Sequence, residues 1–222
     1  MPYLDREGDV FILNLGVRGE SDTENRFHPD WLVEMASLLD EVAASEGPAA
    51  LVTTATGKFY SNGLDLDWLT SHADSWQPYV ADVHGLFARV LTLPMVTVAA
   101  LPGHTFAAGA MLAVAQDRRF MRSDRGFFCF PEVDINIPFT LGMNALIMAK
   151  LTPAASHESM TTGRRYGGVD AAAAGIVDEA LAAEEVLPSA VDYAGSLVAK
   201  RGDTLGAIKS LMYAPVVAEL TS

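Results

Sequence analysis

The chain has 222 residues, of which 50% are hydrophobic and 19% charged, and its formal net charge is −13 at pH 7. This composition predicts a folded protein with one sizeable hydrophobic core rather than a disordered chain. The negative charge disfavours nucleic acid and anionic membranes as partners, and the single cysteine, Cys129, excludes an intrachain disulfide and a thiolate metal cluster.

The first half of the chain alternates between strand and helix patterns. Residues 10–15 alternate as a strand does, and residues 28–45 place their apolar side chains on one helical face. Residues 49–54 form a short apolar run that predicts a buried strand, residues 57–63 form a turn-rich loop, and residues 76–93 predict a second amphipathic helix. Such alternation indicates an α/β layered domain.

The segment from residue 95 to residue 139 carries the strongest functional signal. An apolar strand at 95–101 ends at Pro102-Gly103-His104, and a helix rich in small residues follows at 107–116. Because Pro102 and Gly103 interrupt the apolar window, we predict a strand, a turn and a helix rather than a membrane helix. Small residues at a helix start let a ligand approach backbone N–H groups, which bind anions well.

Glu132 stands at the end of a second apolar stretch, which follows this helix. It comes after Pro131 among phenylalanines and isoleucines, where a carboxylate charge is costly unless it is used. We therefore predict Glu132 as a general base. Asp134 is the alternative base, because it shares a strand face with Glu132 if the segment is extended.

The last third of the chain reads as mainly helical. Helices are predicted at 141–151, 153–160 and 169–174, with a short strand at 175–178. From residue 183 onward the chain is Ala-rich and helical, with an interruption at Pro215. His157-Glu158 begins like a zinc-protease helix, but Thr161 stands where the second histidine is needed, so no metal site is predicted.

Six segments, in this order along the chain, resemble landmarks of the crotonase superfamily, the enoyl-CoA hydratase/isomerase family. The matching segments are Tyr60-Ser61-Asn62-Gly63-Leu64-Asp65-Leu66, residues 102–110, Asp117-Arg118-Arg119-Phe120, Phe130-Pro131-Glu132, Thr162-Gly163-Arg164-Arg165-Tyr166, and residues 172–179. The resemblance implies an α/β fold with a crotonase-like ββα spiral core at 1–165 and a C-terminal helical, trimerisation region at 166–222. It also implies a homotrimer or a dimer of trimers.

The same resemblance implies an acyl-CoA thioester as substrate, with coenzyme A as part of the substrate and no separate cofactor. Carried over by position, the backbone N–H groups of Asn62 and Ala108 form an oxyanion hole for the thioester oxygen. Asn62 departs from the Ala or Gly that the family pattern has there. The positions that the resemblance assigns to substrate binding are Ser61, Gly63, Leu64, Asp65 and Met111. Arg18, Arg26 and Lys58 are the cations nearest in sequence to these loops.

The position that distinguishes the reactions of this family is Met111. Hydratases of the family resemble one another in having a second glutamate there, whereas the segment 107–116 contains no carboxylate. A thioether cannot activate water as a carboxylate does. The single glutamate, and the loop at residues 22–27, are similar to those of 3,2-enoyl-CoA isomerases, which act in β-oxidation of unsaturated fatty acids.

Two alternatives remain open at this point. One is a hydratase that recruits Asp65, Asp67 or Asp74 from a loop, and the other is a non-catalytic acyl-CoA-binding subunit. The residues at the N-terminus do not resemble a signal peptide, and Leu220-Thr221-Ser222 is not a peroxisomal address, so a cytoplasmic location is expected.

Overall fold

The computed structural model describes residues 1–21 and 23–222. Asp22, the first residue of the loop that resembles the isomerases, lies outside the described residues. The strands in the described part of the chain are β1 (Tyr3–Glu7), β2 (Val10–Asn14), β3 (Ala50–Thr54), β4 (Phe59–Ser61), β5 (Val96–Leu101), β6 (His104–Phe106), β7 (Arg118–Arg122), β8 (Phe128–Cys129) and β9 (Glu179–Leu181).

The helices alternate with these strands and then take over in the C-terminal part. They are α1 (Pro29–Ala44), α2 (Leu66–Ser71), α3 (Trp76–Thr92), α4 (Ala108–Ala115), α5 (Glu132–Ile135), α6 (Leu141–Lys150), α7 (Pro153–Thr162), α8 (Gly168–Ala173), α9 (Val186–Gly195), α10 (Asp203–Met212) and α11 (Ala214–Leu220). None of the helices in the described part of the chain combines the length and the apolar character needed to cross a membrane.

Two sheets organise the core. The described strands form a six-stranded sheet in the order β1-β2-β3-β5-β7-β9, parallel except for the β1–β2 pair, and a three-stranded parallel sheet in the order β4-β6-β8. Along the chain, β3, β5 and β7 of the large sheet are each followed by one strand of the small sheet and then by a helix. This repeat confirms the predicted ββα spiral within an α/β fold.

Both faces of the large sheet are buried because successive side chains alternate between two hydrophobic clusters. Leu51 of β3 packs with α1, α3 and α4, whereas Val52 packs on the other side with Val186 and Ala190 of α9. A sheet covered on both faces explains why β3 and β5 read as continuous apolar runs rather than alternating ones.

The strand predicted at 175–178 is wrong. Gly175 has φ 71° and ends α8, and the N–H groups of Ile176 and Val177 turn back to the Ala171 carbonyl oxygen at 2.9 and 3.3 Å. The two apolar side chains are therefore buried in a helix-terminating turn. The first backbone bond to β7 runs from the Asp178 N–H to the Arg119 carbonyl oxygen at 2.9 Å, directly before β9 begins at Glu179.

The region 166–222 packs back onto the rest of the chain. Helix α9 lies on β3, β5 and β7, whereas α11 contacts α6 and α3. Its division from residues 1–165 as a separate trimerisation region stays a prediction, as does the oligomeric state.

Candidate active site

The three strands of the small sheet each lead into a chain segment at the same edge of that sheet. Strand β4 leads into the turn at Asn62, β6 leads into Ala107, and β8 leads into Pro131 and Glu132. Because parallel strands end at the same edge of a sheet, these segments meet there. They line a cavity of 330 Å³ whose walls are largely apolar, with Leu66, Trp76, Phe106, Met111, Ile135, Ile137, Pro138 and Met143 among the lining residues.

The start of α4 presents a free backbone donor to this cavity. Ala107 has φ 49° and ψ −124°, an unfavourable conformation for a residue with a side chain that costs roughly 1–3 kcal/mol. The bond from its own N–H to the Cys129 carbonyl oxygen, at 3.0 Å, helps to hold it there. The next N–H, that of Ala108, has no acceptor among the described residues and lies at the positive end of the helix dipole.

The second predicted donor is wrong. The Asn62 N–H donates to the Glu24 carbonyl oxygen at 2.9 Å, so it is not free to bind a substrate. This bond arises because the loop at residues 23–27 runs alongside the turn, with Phe27 bridged to Leu64. The N–H of Leu64, two residues on, has no acceptor among residues 1–21 and 23–222, and Leu64 lines the cavity.

Gly63 allows the two segments to touch. It has φ 82°, and a Cβ added there would lie 2.9 Å from the Ala107 Cβ and 3.0 Å from the Ala108 nitrogen. Only a glycine permits this approach, which brings the peptide groups of Leu64 and Ala108 to the same cavity wall.

Three of the five predicted substrate-binding residues support the turn instead of lining the cavity. Ser61 is fully buried, and its hydroxyl donates to the Asn25 carbonyl oxygen at 2.7 Å and accepts from the Gly63 N–H at 3.1 Å. Asp65 caps α2 by accepting from the Trp68 N–H at 3.1 Å. Leu64 and Met111 line the cavity, and their contact with a substrate stays a prediction.

Glu132 lies on the cavity wall and is only 7% exposed. Its Oε2 atom has no hydrogen-bond partner among the described residues, which is costly for a buried carboxylate. Burial raises the pKa of Glu132 from its ordinary value of 4.5 to about 7. A carboxyl group with this pKa can both accept and return a proton near neutral pH.

Asp134 is not an alternative base in this structure. The segment forms the short helix α5 rather than a strand, so residues 132 and 134 point in different directions, and Asp134 is exposed to solvent. Asp134 is not among the described residues on the cavity wall.

Met111 lies one helical turn beyond Ala108, on the cavity wall and 1% exposed. The carboxylates among the described lining residues are Glu132 and Asp67. Asp67 accepts from Arg26 Nη1 at 2.5 Å and its side chain is 86% exposed, so it faces the mouth of the cavity and is already paired. Asp65 and Asp74, the other candidates for a second acid, do not line it.

Arg26 is the one of the three singled-out cations that lines the cavity. Arg18 instead pairs with Asp5 on the surface at 2.8 Å. The cavity is also lined by Trp76, Phe106 and Met143, which were not predicted from the sequence. An apolar residue on a helix or strand can lie in the core or on a pocket wall, and its sequence pattern is the same in both cases. No group of metal-ligating side chains occurs among residues 1–21 and 23–222.

Comparisons with known proteins show the family of the chain. The family model described as enoyl-CoA hydratase/isomerase matches residues 19–222. Two proteins of Arabidopsis thaliana, named enoyl-CoA delta isomerase 2, peroxisomal, and enoyl-CoA delta isomerase 3, are each 38% identical to this chain; each match covers 96% of this chain and 92% of the relative.

Solved structures share the fold. A probable enoyl-CoA hydratase, EchA3, from Mycobacterium tuberculosis superposes with a TM-score of 0.89 at 23% identity, covering 99% of this chain and 91% of that one. The chain belongs to the enoyl-CoA hydratase/isomerase family, of the crotonase superfamily.

Proposed function

We propose that this protein is an isomerase that moves the double bond of a 3-enoyl-CoA ester to the 2-position. The observation that carries the proposal is the buried Glu132 carboxyl group, whose pKa is about 7 and whose Oε2 atom has no hydrogen-bond partner among the described residues. It lies on the apolar wall of the cavity that Leu64 and Ala108 also line. The names of the Arabidopsis relatives support the same reaction.

In the proposed mechanism the N–H groups of Leu64 and Ala108 bind the thioester oxygen. Glu132 takes a proton from C2, and the electron pair of that C–H bond delocalises through the carbonyl and the C3–C4 double bond as a dienolate. The protonated Glu132 then returns the proton to C4, which leaves the double bond between C2 and C3. Atoms and electrons balance, so the reaction needs no cofactor beyond the coenzyme A of the substrate.

The two N–H donors stabilise the dienolate because its charge collects on the thioester oxygen. Loss of one such donor costs about 2.7–4 kcal/mol in comparable sites. The Met111 side chain and the neighbouring apolar wall exclude water, which protects the dienolate and disfavours hydration.

The test is ultraviolet absorbance of the purified protein mixed with trans-3-hexenoyl-CoA, run beside Glu132→Gln. We expect growth of the conjugated 2-enoyl thioester band with the wild type and a loss of about 10²–10⁴-fold in rate with the variant, the usual contribution of a general base. Binding of the ester without conjugation by the wild type would contradict the proposal and would favour the non-catalytic acyl-CoA-binding subunit.

Addition of water is the alternative reaction, with Asp67 as the second acid. The pairing of Asp67 with Arg26 at the cavity mouth makes it a poor activator of water. A hydrated product carrying oxygen from labelled water would identify a hydratase. The pathway, the assembly as a homotrimer or a dimer of trimers, and the cytoplasmic location stay predictions.

A further inference from the structure

The turn that carries the Leu64 N–H is held from one side by the loop at residues 23–27. The Asn62 N–H donates to the Glu24 carbonyl oxygen at 2.9 Å, and the Phe27 N–H donates to the Gly63 carbonyl oxygen at 2.8 Å. The Gly63 carbonyl and the Leu64 N–H belong to one trans peptide group, in which they point in opposite directions. The bond from Phe27 therefore sets the direction of the Leu64 N–H.

The side chain of Glu24 fastens this loop to the turn. Its Oε2 atom accepts from the side-chain amide nitrogen of Asn62, Nδ2, at 3.1 Å and from Arg26 Nε at 2.6 Å. Arg26 continues to Asp67 Oδ2 at 2.5 Å, on the helix that follows the turn. The Glu24 carboxylate thus joins Asn62 to Arg26, and Arg26 is in turn bound to Asp67. These contacts hold the chain on both sides of Leu64.

The negative charge of Glu24 strengthens both of these hydrogen bonds. The hydrogen bond from Arg26 is the largest cause that lowers the pKa of Glu24, so the carboxylate is ionised at neutral pH and accepts strongly from both donors. Glu24 is half-buried and does not line the cavity, so it acts on the substrate only through the turn.

We propose that Glu24 is a positioning residue for the isomerisation, which holds the Leu64 N–H on the thioester oxygen through its bonds to Asn62 and Arg26. The proposal rests on the proposed function, since it assigns to Leu64 one of the two oxyanion donors. Glu24 acts on the transition state more than on the ester, because negative charge accumulates on that oxygen only as the proton leaves C2.

The experiment compares Glu24→Ala, Glu24→Gln and the control Asp40→Ala. Asp40 forms an equally short pair with Arg89, at 2.6 Å, but lies on α1 away from the cavity. Two readouts are taken: kcat and KM with trans-3-hexenoyl-CoA, and the infrared frequency of the thioester carbonyl in bound hexanoyl-CoA labelled with ¹³C at C1. The second readout needs no turnover and reports directly on polarisation of the thioester oxygen.

Glu24→Ala is expected to lower kcat roughly ten-fold with KM nearly unchanged, and to weaken the carbonyl shift seen in the wild type. Glu24→Gln keeps an acceptor for the Asn62 amide and is expected to restore most of both, whereas Asp40→Ala behaves as the wild type. A full carbonyl shift in ester bound to Glu24→Ala would overturn the proposal, whether or not that variant is less stable. The wild type could also shift the carbonyl frequency without isomerising the ester, while Glu24→Ala loses that shift. This result would refute the proposed function and leave the positioning role of Glu24 intact.

Discussion

At the scale of single residues, the chemistry depends on the environment of Glu132. The Oε2 atom of its carboxyl group has no partner among the described residues, and the apolar wall around it disfavours the charged form. With a pKa of about 7, a large fraction of Glu132 is deprotonated at neutral pH, as a general base requires. In the proposed mechanism two backbone donors stabilise the dienolate between proton removal and proton return, so a single acid/base group is sufficient.

This environment predicts a pH dependence. In the proposed mechanism Glu132 removes the proton only when it is deprotonated, and burial raises its pKa to about 7. We expect kcat/KM to rise about ten-fold per pH unit below pH 7 and to level off above it. Initial rates measured between pH 5 and pH 9 would check this, with protein stability followed over the same range. A rate that is flat down to pH 5 would show that a carboxyl group with an ordinary pKa is the base.

The sequence singled out Glu132 because a glutamate among aromatic residues is unusual, and the structure places this residue on the cavity wall. The sequence misassigned the first donor to Asn62, because the availability of a backbone N–H depends on which other segment pairs with it. The loop at residues 23–27 takes the Asn62 N–H and leaves that of Leu64 free. Such pairing between distant segments has no local sequence signal.

At the scale of elements, the site depends on close contact between the helix α4 and the turn after β4. A Cβ added to Gly109 would lie 2.6 Å from the Ser61 Cβ and 2.8 Å from the Ser61 carbonyl oxygen, atoms of a fully buried residue that cannot move away. The glycine therefore sets the distance between the two chain segments that carry the donors.

We predict that Gly109→Ala lowers the free energy of unfolding by about 1–3 kcal/mol through overpacking, and also lowers kcat. The matched control is Gly85→Ala in α3, where an added Cβ meets no atom within 4 Å. That control is expected to be neutral or to stabilise by up to about 1 kcal/mol. Urea unfolding of both variants checks the pair, and equal stability of the two would contradict the packing described here.

The predictable elements were the long helices and the buried strands. Helices α1 and α3 keep their apolar residues on one face for four turns or more, which the sequence pattern shows clearly. Strands β4, β6 and β8 have two or three residues each, too few to show any alternation, and they were not predicted. These are the strands that bring the site together.

At the scale of the whole molecule, the C-terminal helices are tied to the large sheet by a buried charge. Lys209 of α10 is 4% exposed and donates to the Met95 carbonyl oxygen at 2.7 Å and to Asp117 Oδ2 at 2.5 Å. Asp117 in turn accepts from the Thr97 N–H at 2.8 Å. The C-terminal part is thereby joined to the ends of β5 and β7, far from the cavity wall.

Lys209→Met keeps most of the aliphatic stem and removes these bonds, so we expect it to lower the free energy of unfolding by about 1–3 kcal/mol. Because Lys209 does not line the cavity, kcat of the folded variant should stay at the wild-type value. The exposed Lys200→Met serves as the control and should change neither quantity. A normal unfolding midpoint for Lys209→Met would show that the buried pair contributes no net stability.

The proposed shuttle uses one carboxyl group, that of Glu132, to move a proton within the substrate. The most direct measurement is conversion of trans-3-hexenoyl-CoA carrying deuterium at both C2 positions, with the product analysed by mass spectrometry and NMR. We expect a conjugated product that retains part of the transferred deuterium at C4. A conjugated product with only solvent hydrogen at C4, or a hydrated product, would contradict the single-glutamate shuttle.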